Sequence, residues 1–145
     1  MSHSHSRIWI HAIWSTKDRL PLIQPTAEQL IYKFLEEEFH EMGCTVKAIN
    51  GMADHIHVLF LLNPQKSVAD VIKQVKGSSS HRINQENLIP EKFSWQTGYA
   101  SFTVGGTLVK KVSHYIETQK EHHAQKSFQS EFNEILIDHG FEIET

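Results

Sequence analysis

Apolar and polar residues alternate along the chain in blocks that predict strands and helices. Residues 7–16 are rich in Ile and Trp and end in a polar Thr-Lys-Asp-Arg turn, which predicts a first strand. A capping box of Thr26 and Gln29 follows, and apolar residues then recur at helical spacing as far as Gly43. This second segment is therefore predicted to form the first helix.

The central part of the chain predicts a hairpin followed by a second helix. Residues 44–50 and 55–62 are apolar segments separated by a short turn that begins at Gly51, which is typical of two paired strands. Ser67 can cap a helix whose apolar residues form an inner stripe as far as Asn84. The order up to this point is strand, helix, strand, strand, helix.

The last third of the chain predicts one more strand and two helices. Residues 93–99 form an aromatic loop, and residues 100–104 have the pattern of a short fourth strand. A third helix is predicted from a cap at Thr107 to about Gln125, and a fourth over residues 127–139. In the fourth helix, Phe and Ile side chains are expected to face inward.

This order predicts an α+β fold of the ferredoxin-like, or RRM-like, split βαβ type. Such a fold has an antiparallel sheet with helices on one face, here extended by C-terminal helices. Since no repeat or long linker interrupts the chain, we predict one domain with a core at 1–104, a helix at 105–125 and a C-terminal helix at 126–145. Many unrelated functions use this fold, so function has to be inferred from individual sites.

Composition narrows the class of protein. The chain has 145 residues and 39% hydrophobic content, which fits one globular domain with its own core. No apolar run approaches the roughly 20 residues of a bilayer span, so no membrane partner is expected. The single cysteine, Cys44, excludes an internal disulfide, and the N-terminal sequence lacks the pattern of a signal peptide. We therefore expect a cytoplasmic protein.

Charge is distributed unevenly along the chain. The net charge is −3, but residues 66–126 carry 9 basic and 5 acidic side chains, whereas residues 127–145 carry 5 acidic side chains and no Lys or Arg. A basic segment of this kind can give one face of the protein a positive potential that attracts phosphates. The alternative is a lysine-rich helix face that simply interacts with water.

Two histidines on the predicted third strand are candidates for metal ligands. Side chains two residues apart on a strand point to the same face, so His55 and His57 project together while Ile56 and Val58 point the other way. Two neutral imidazoles can share one divalent cation, and Asp54 can orient one of them. The alternative is a half-buried histidine pair whose hydrogen bonds are satisfied by neighbouring groups.

The predicted third helix carries a candidate nucleophile. Tyr115 and Gln119 are four residues apart and therefore share one helix face. A phenol is a weak nucleophile at neutral pH unless a base or a cation assists the reaction. The alternative is a packed tyrosine with its hydroxyl at the rim of the core, beside a solvated glutamine.

Together, these motifs give the sequence a recognisable pattern. It resembles the single-tyrosine transposases of the HUH class, encoded by insertion sequences of the 200/605 type. Five segments carry the resemblance: the opening strand Ile8 to Thr16, Gly51-Met-Ala-Asp-His-Ile-His-Val-Leu-Phe60, Val75-Lys-Gly-Ser-Ser79, Trp95-Gln-Thr-Gly-Tyr-Ala-Ser-Phe-Thr-Val104 and Val112-Ser-His-Tyr-Ile-Glu-Thr-Gln-Lys120. Only the last twenty or so residues lack a counterpart in that pattern.

The resemblance implies a metal-dependent reaction on DNA. It makes His55, His57 and Gln119 ligands of Mg²⁺ or Mn²⁺, and it makes Tyr115 the nucleophile that forms a 5′-phosphotyrosine link and releases a 3′-hydroxyl. The implied substrate is single-stranded DNA with hairpins at the ends of the element. The family works as a homodimer in which the tyrosine helix of one subunit can complete the histidine site of the other.

Several side chains are expected to contact the DNA. Phosphate contacts are predicted for the basic residues, and base stacking for the aromatic ones: Lys73, Lys76, Arg82, Lys110, Lys111, Trp95 and Tyr99. The acidic stretch at residues 131–138 is expected to face away from the strand or to pack at the dimer interface. His122 and His123 lie one turn further along the third helix and can approach the metal, although solvation at the helix end is the favoured alternative.

Two other function classes fit parts of the pattern. A catalytically inactive module that binds structured single strands would keep the fold and the basic segment. A small metal-binding protein would keep only the histidines. Covalent capture of DNA separates the enzyme from both, and salt-sensitive binding separates the module from the metal protein.

Overall fold

The computed structural model describes residues 3–124 and 126–143. Four strands form one antiparallel sheet in the order β2-β3-β1-β4. Its elements are β1 (Trp9–Ser15), α1 (Pro25–Glu41), β2 (Thr45–Met52), β3 (His55–Leu61), α2 (Val68–Gln85), β4 (Ala100–Val104), α3 (Val109–Glu117), α4 (Gln119–His122) and α5 (Phe128–Asp138). Short 3-10 turns lie at Lys17–Arg19 and Gly106–Leu108. This architecture confirms the predicted α+β class with its antiparallel sheet.

The two faces of the sheet have different contents. Even-numbered residues of β1 and β3, such as Ala12, Ile56 and Phe60, belong to a core formed with α1 and α2. Odd-numbered residues point to the opposite face, where Leu59 packs with Val109 and other residues of α3. The candidate histidines therefore lie on the face that the C-terminal helices cover.

Helix starts differ from the predicted capping pattern in two places. As expected, Ser67 caps α2 by accepting a hydrogen bond from the amide of Asp70 at 3.0 Å. The capping box at Thr26 is wrong, because α1 already begins at Pro25, whose missing N–H suits the first helical position. Thr107 does not cap α3 either: it lies in the 3-10 turn that precedes Val109.

The predicted third helix is divided into α3 and α4 by a break at Thr118. This residue has φ −101° and ψ 22°, and its hydroxyl donates to the carbonyl of His114 at 2.9 Å. The hydroxyl thus contacts a carbonyl at the end of α3 where the regular helix stops. The predicted end at Gln125 lies outside the described residues. Within the described ranges, no helix has the length and apolar character needed to cross a bilayer.

Gly51 brings β2 unusually close to the histidine strand. A Cβ at this position would lie 2.1 Å from the carbonyl oxygen of His55 and 2.8 Å from the Cα of Ile56. Backbone atoms cannot yield to such a contact without separating the two strands, so only glycine fits here. The position of His55 therefore depends on the absence of a side chain in the neighbouring strand.

We expect Gly51→Ala to lower the free energy of unfolding by about 1–3 kcal/mol, as overpacking does elsewhere. Urea unfolding measures this change. Gly77→Ala is the matched control, because nothing lies within 4 Å of its built Cβ and it lies inside α2. Alanine should stabilise that position by about 0.8–1 kcal/mol. Equal effects of the two substitutions would contradict the assigned role of Gly51.

Candidate metal and tyrosine site

His55 and His57 form a fully buried pair on β3. Both side chains have 0% exposure, and their ring centroids are 5.4 Å apart. The Nδ1 atom of His55 lies 2.8 Å from a carboxylate oxygen of Asp54, as the sequence suggested. This hydrogen bond holds the pKa of Asp54 below its usual value. The Asp54 carboxylate can accept a proton from Nδ1, an arrangement that would leave Nε2 of His55 free to bind a metal.

His57 is held in place by His11 on β1, a residue that the sequence pattern did not single out. Its Nδ1 atom lies 2.9 Å from Nε2 of His11 on β1, and the two rings stack with centroids 5.2 Å apart. Burial lowers the pKa of His57, and burial together with the neighbouring His57 lowers the pKa of His11 to about 3. Both rings are thus neutral at neutral pH, the state in which imidazole binds metals. The sequence did carry a signal for His11. It lies two residues from Ile13 on β1, so it points to the same face of the sheet, and Ile13 is the residue that pairs with His57.

Glu131 on α5 lies at the centre of the site. The acidic stretch at residues 131–138 was expected to face away from the DNA strand, and for Glu131 this expectation is wrong. Its side chain is buried, and its Oε1 atom lies 3.0 Å from Nε2 of His57 and 3.7 Å from Nε2 of His55. Glu131 shares a helix face with Phe128 and Ile135, three residues before it and four after it. When the apolar face of α5 packs inward, it carries this carboxylate with it.

Hydrogen bonds keep Glu131 ionised despite its burial. Burial by itself raises the pKa of the carboxyl, but hydrogen bonds from His57, Tyr115 and Gln119 outweigh it and hold the pKa well below its usual range. The Oε2 atom accepts from the Tyr115 hydroxyl and, at 3.0 Å, from Nε2 of Gln119. One carboxylate therefore connects the histidine pair to the tyrosine helix.

Tyr115 lies beside the histidine pair within the same chain. Its ring centroid is 5.8 Å from that of His57, and its other side stacks on His122 at 4.7 Å. Burial and the hydrogen bond to Glu131 raise the pKa of the phenol above its ordinary value. The tyrosine is therefore a neutral hydroxyl whose position is fixed next to the imidazoles.

Gln119 reaches the site because the helix breaks just before it. Its side chain has 0% exposure, and its Oε1 atom has no hydrogen-bond partner among the described residues. His123 also points inward, which corrects the expectation that it is solvated: its Nε2 lies 3.1 Å from Oε1 of Glu131. Its ring centroid is 4.6 Å from that of His55. Its position one turn further along left this approach open from the sequence, but the helix-end position favoured solvation.

The donor atoms fit a divalent cation. One nitrogen each from His55 and His57 and one oxygen of Glu131 all lie within 4.8 Å of one another. The Nε2 atoms of His55 and His123 are buried and make no hydrogen bond within the described part of the chain. Buried polar atoms are normally paired, and imidazole nitrogens with a carboxylate oxygen form a common ligand set for divalent metals. The site can therefore bind a metal ion.

Two of the residues predicted to contact DNA, Trp95 and Arg82, bind other groups of the protein instead. The indole of Trp95 is 9% exposed, donates to the hydroxyl of Ser79 at 2.9 Å and packs edge-on against Trp14. The expectation that DNA bases stack on Trp95 is therefore wrong, because its ring belongs to the core. Arg82 binds Glu37 at 2.9 Å and lies over the Phe34 ring, so it joins α2 to α1.

Three of the other predicted DNA contacts, Lys73, Lys76 and Tyr99, line one surface cavity beside α2, whereas Lys110 and Lys111 lie on α3. The Lys76 ammonium donates to the carbonyls of Gln96 and Gly98, both at 2.6 Å, and burial lowers its pKa. It therefore fixes the loop before β4. The remaining four side chains are exposed: Lys73, Tyr99, Lys110 and Lys111. The two lysines on α3 lie on the helix that carries Tyr115.

Comparison with known proteins gives consistent matches. The family model described as "Transposase IS200 like" matches residues 4–119. The ISDra2 transposase TnpA of Deinococcus radiodurans is 27% identical over 116 residues, covering 77% of this chain and 83% of that protein.

Two solved structures have a similar fold. One is a crystal structure of a Deinococcus radiodurans R1 protein assigned as a transposase, with a TM-score of 0.64 and 24% identity over 82% of this chain and 98% of that one. The other is a REP-associated tyrosine transposase bound to a REP hairpin, with a TM-score of 0.61 and 13% identity over 85% and 74%.

Proposed function

Because this chain belongs to the IS200-like transposase family, we propose that it cleaves and rejoins single-stranded DNA with Tyr115 as the nucleophile and a divalent metal held by His55 and His57. The observation that carries this proposal is the convergence of the Tyr115 hydroxyl and two buried imidazoles on the carboxylate of Glu131. A tyrosine that only packs against the core does not require a buried carboxylate and two imidazoles beside its hydroxyl.

The proposed reaction is a transesterification at one phosphodiester. The Tyr115 oxygen attacks phosphorus, and the bond from phosphorus to the 3′ oxygen of the preceding nucleotide breaks. The phenolic proton passes to Oε2 of Glu131, to which the hydroxyl already donates. The departing 3′ oxygen takes up that proton from Glu131, directly or through solvent, leaving a 3′-hydroxyl and a 5′-phosphotyrosine. Because the phosphotyrosine link conserves the energy of the phosphodiester bond, a 3′-hydroxyl can attack it and reverse the step without ATP.

The residues of the site would hold and orient the metal. We propose Mg²⁺ or Mn²⁺, which when bound would neutralise the charge that develops on the phosphate. Asp54 orients the His55 ring and His11 orients the His57 ring through their Nδ1 atoms. Gln119 is proposed as a further ligand through its unpaired Oε1 atom.

Single-stranded DNA hairpins are the proposed substrates. A similarly folded relative is bound to a REP hairpin, which supports this class of ligand. The exposed Lys73, Tyr99, Lys110 and Lys111 are the proposed contacts. Homodimerisation stays a prediction, as does the cytoplasmic location. Exchange of tyrosine helices is not needed to bring Tyr115 to His57, since both belong to one chain.

Covalent capture tests this function. Wild-type protein is incubated with labelled single-stranded oligonucleotides that carry the hairpins flanking its own gene, in Mg²⁺ or in EDTA, and analysed on denaturing gels. We expect a protein–DNA adduct only with Mg²⁺. Salt-sensitive hairpin binding without any adduct would instead favour the inactive binding module. An adduct that persists in EDTA would refute the metal requirement.

A further inference from the structure

We infer that Asn50 and Lys120 fasten the helix that carries Tyr115 to strand β2, and that these two attachments position Tyr115 for the proposed reaction. Both are positioning residues, because they act on the reaction through the helix that they hold. This inference rests on the proposed function and adds two residues to it that lie outside the cluster around Glu131.

Asn50 lies directly beside the strand that carries the histidine pair. In the antiparallel pairing of β2 with β3, Asn50 is the partner of His57. Directly opposite residues of such a pair project from the same face of the sheet, with their Cβ atoms about 4.5–5.5 Å apart. The Asn50 side chain therefore lies next to the His57 imidazole, on the face that the C-terminal helices cover.

The Asn50 amide binds the end of α3. Its Nδ2 atom donates to the carbonyl of Glu117 at 3.0 Å, and Glu117 is the last residue of that helix. The last carbonyls of a helix have no partner within it, so they accept hydrogen bonds from other groups. The Oδ1 atom of Asn50 accepts from the amide of Gly51 at 2.9 Å, which fixes the orientation of the side chain. The end of α3 is thus held at β2, two residues after Tyr115.

The Lys120 ammonium makes the second attachment. It donates to Oδ1 of Asn50 at 3.0 Å, to the carbonyl of Gly51 and to a carboxylate oxygen of Glu28 on α1. These three acceptors use all three N–H groups of the ammonium. The Glu28 side chain is only 12% exposed, so solvent ions screen this pair less than a pair on the open surface. The start of α4 is thereby held against β2, directly after Gln119.

The two attachments lie on either side of the break at Thr118. Because α3 and α4 have only nine and four residues, their relative position depends on contacts with the sheet and not on one continuous helix. Tyr115 belongs to the first helix and Gln119 to the second. The two attachments therefore set the positions of both side chains relative to His57.

The rate of adduct formation in a single turnover, at saturating hairpin DNA and Mg²⁺, tests this role with Lys120→Met. Methionine keeps an unbranched side chain and removes the ammonium. Since a misplacement of about 1 Å can cost roughly a hundredfold in rate, we expect the rate to fall at least about tenfold while hairpin affinity stays at the wild-type value. Lys33→Met is the matched control, because this exposed lysine pairs with Glu37 within α1, and its rate should equal that of wild type.

Amide hydrogen exchange of the full-length protein gives a second readout that does not depend on activity. Peptides that cover residues 109–122 should exchange at least about tenfold faster in Lys120→Met than in wild type, because α3 and α4 lose an attachment to the sheet. Peptides from α2 should exchange at the wild-type rate. Lys33→Met should leave both sets of peptides unchanged.

The outcomes separate this inference from the proposed function. A wild-type rate of adduct formation in Lys120→Met would overturn the inference and leave the proposed function intact. Faster exchange throughout the chain, with a lower melting temperature, would show a general stabilising role and would also overturn it. If wild type forms no adduct, the proposed function fails; faster exchange confined to residues 109–122 would then still support the attachment, and unchanged exchange would overturn it. If Lys120→Met does not fold, as judged by circular dichroism, Asn50→Ala replaces it under the same criteria.

Discussion

Tyr115→Phe should reduce covalent adduct formation and strand cleavage by at least roughly a thousandfold, because the substitution removes the oxygen proposed to attack the phosphodiester. The phenylalanine ring can keep the contacts with His57 and His122. One hydrogen bond to the Glu131 carboxylate is lost, which costs about 1.5–3 kcal/mol. The variant should therefore stay folded and bind hairpins normally. Denaturing gels measure the adduct, and thermal melting checks the fold.

Tyr32→Phe is the matched control for this experiment. Tyr32 is buried in the core on the other side of the sheet, on α1, so its substitution leaves the site unchanged. Adduct formation by this variant should equal that of wild type. If Tyr115→Phe still forms an adduct with DNA, another group is the nucleophile and the role assigned to Tyr115 is wrong.

His57→Ala should lower metal-dependent cleavage by at least about a hundredfold and reduce the rise in melting temperature that Mn²⁺ produces. The substitution removes a donor atom that faces Glu131 and leaves the carboxylate without one of its hydrogen bonds. Binding of the ion stabilises the folded state only as far as its affinity allows, so loss of a ligand lowers the Mn²⁺-induced shift. Melting curves with and without Mn²⁺ measure it.

The control for His57→Ala is His114→Ala on α3. His114 is exposed and one residue from Tyr115, so the same chemical change is made next to the nucleophile but outside the cluster. Its cleavage rate and Mn²⁺ response should match those of wild type. Equal losses in both variants would mean that His57 contributes through general stability, and the metal role would fail.

Much of the fold could be predicted from the sequence because its signals are local. Alternation along β3 placed His55 and His57 on one face and Phe60 on the other, and the sheet shows that arrangement. The capping signals were less reliable, since Pro25 and the turn before Val109 set the helix starts instead. The break at Thr118 was also missed, because threonine tolerates both helical and non-helical backbone.

The site was only partly predictable because its centre depends on contacts between distant residues. The two-residue spacing of the histidines and the four-residue spacing of Tyr115 and Gln119 are readable from periodicity. Glu131 gives a weak signal, a single acidic residue within an apolar stripe, and its partner His57 lies 74 positions away. Periodicity indicates which face a residue occupies but not which distant element covers that face.

The long sequence separation within the cluster also determines when the site can form during synthesis. His57 contacts His11 near one end of the chain and Glu131 near the other. Contacts between distant segments form late, since the intervening chain must first be made and brought together. A nascent polypeptide that stops short of α5 has the whole sheet but an incomplete cluster. Only a chain extended past Glu131 therefore carries the full set of groups that meet in the cluster.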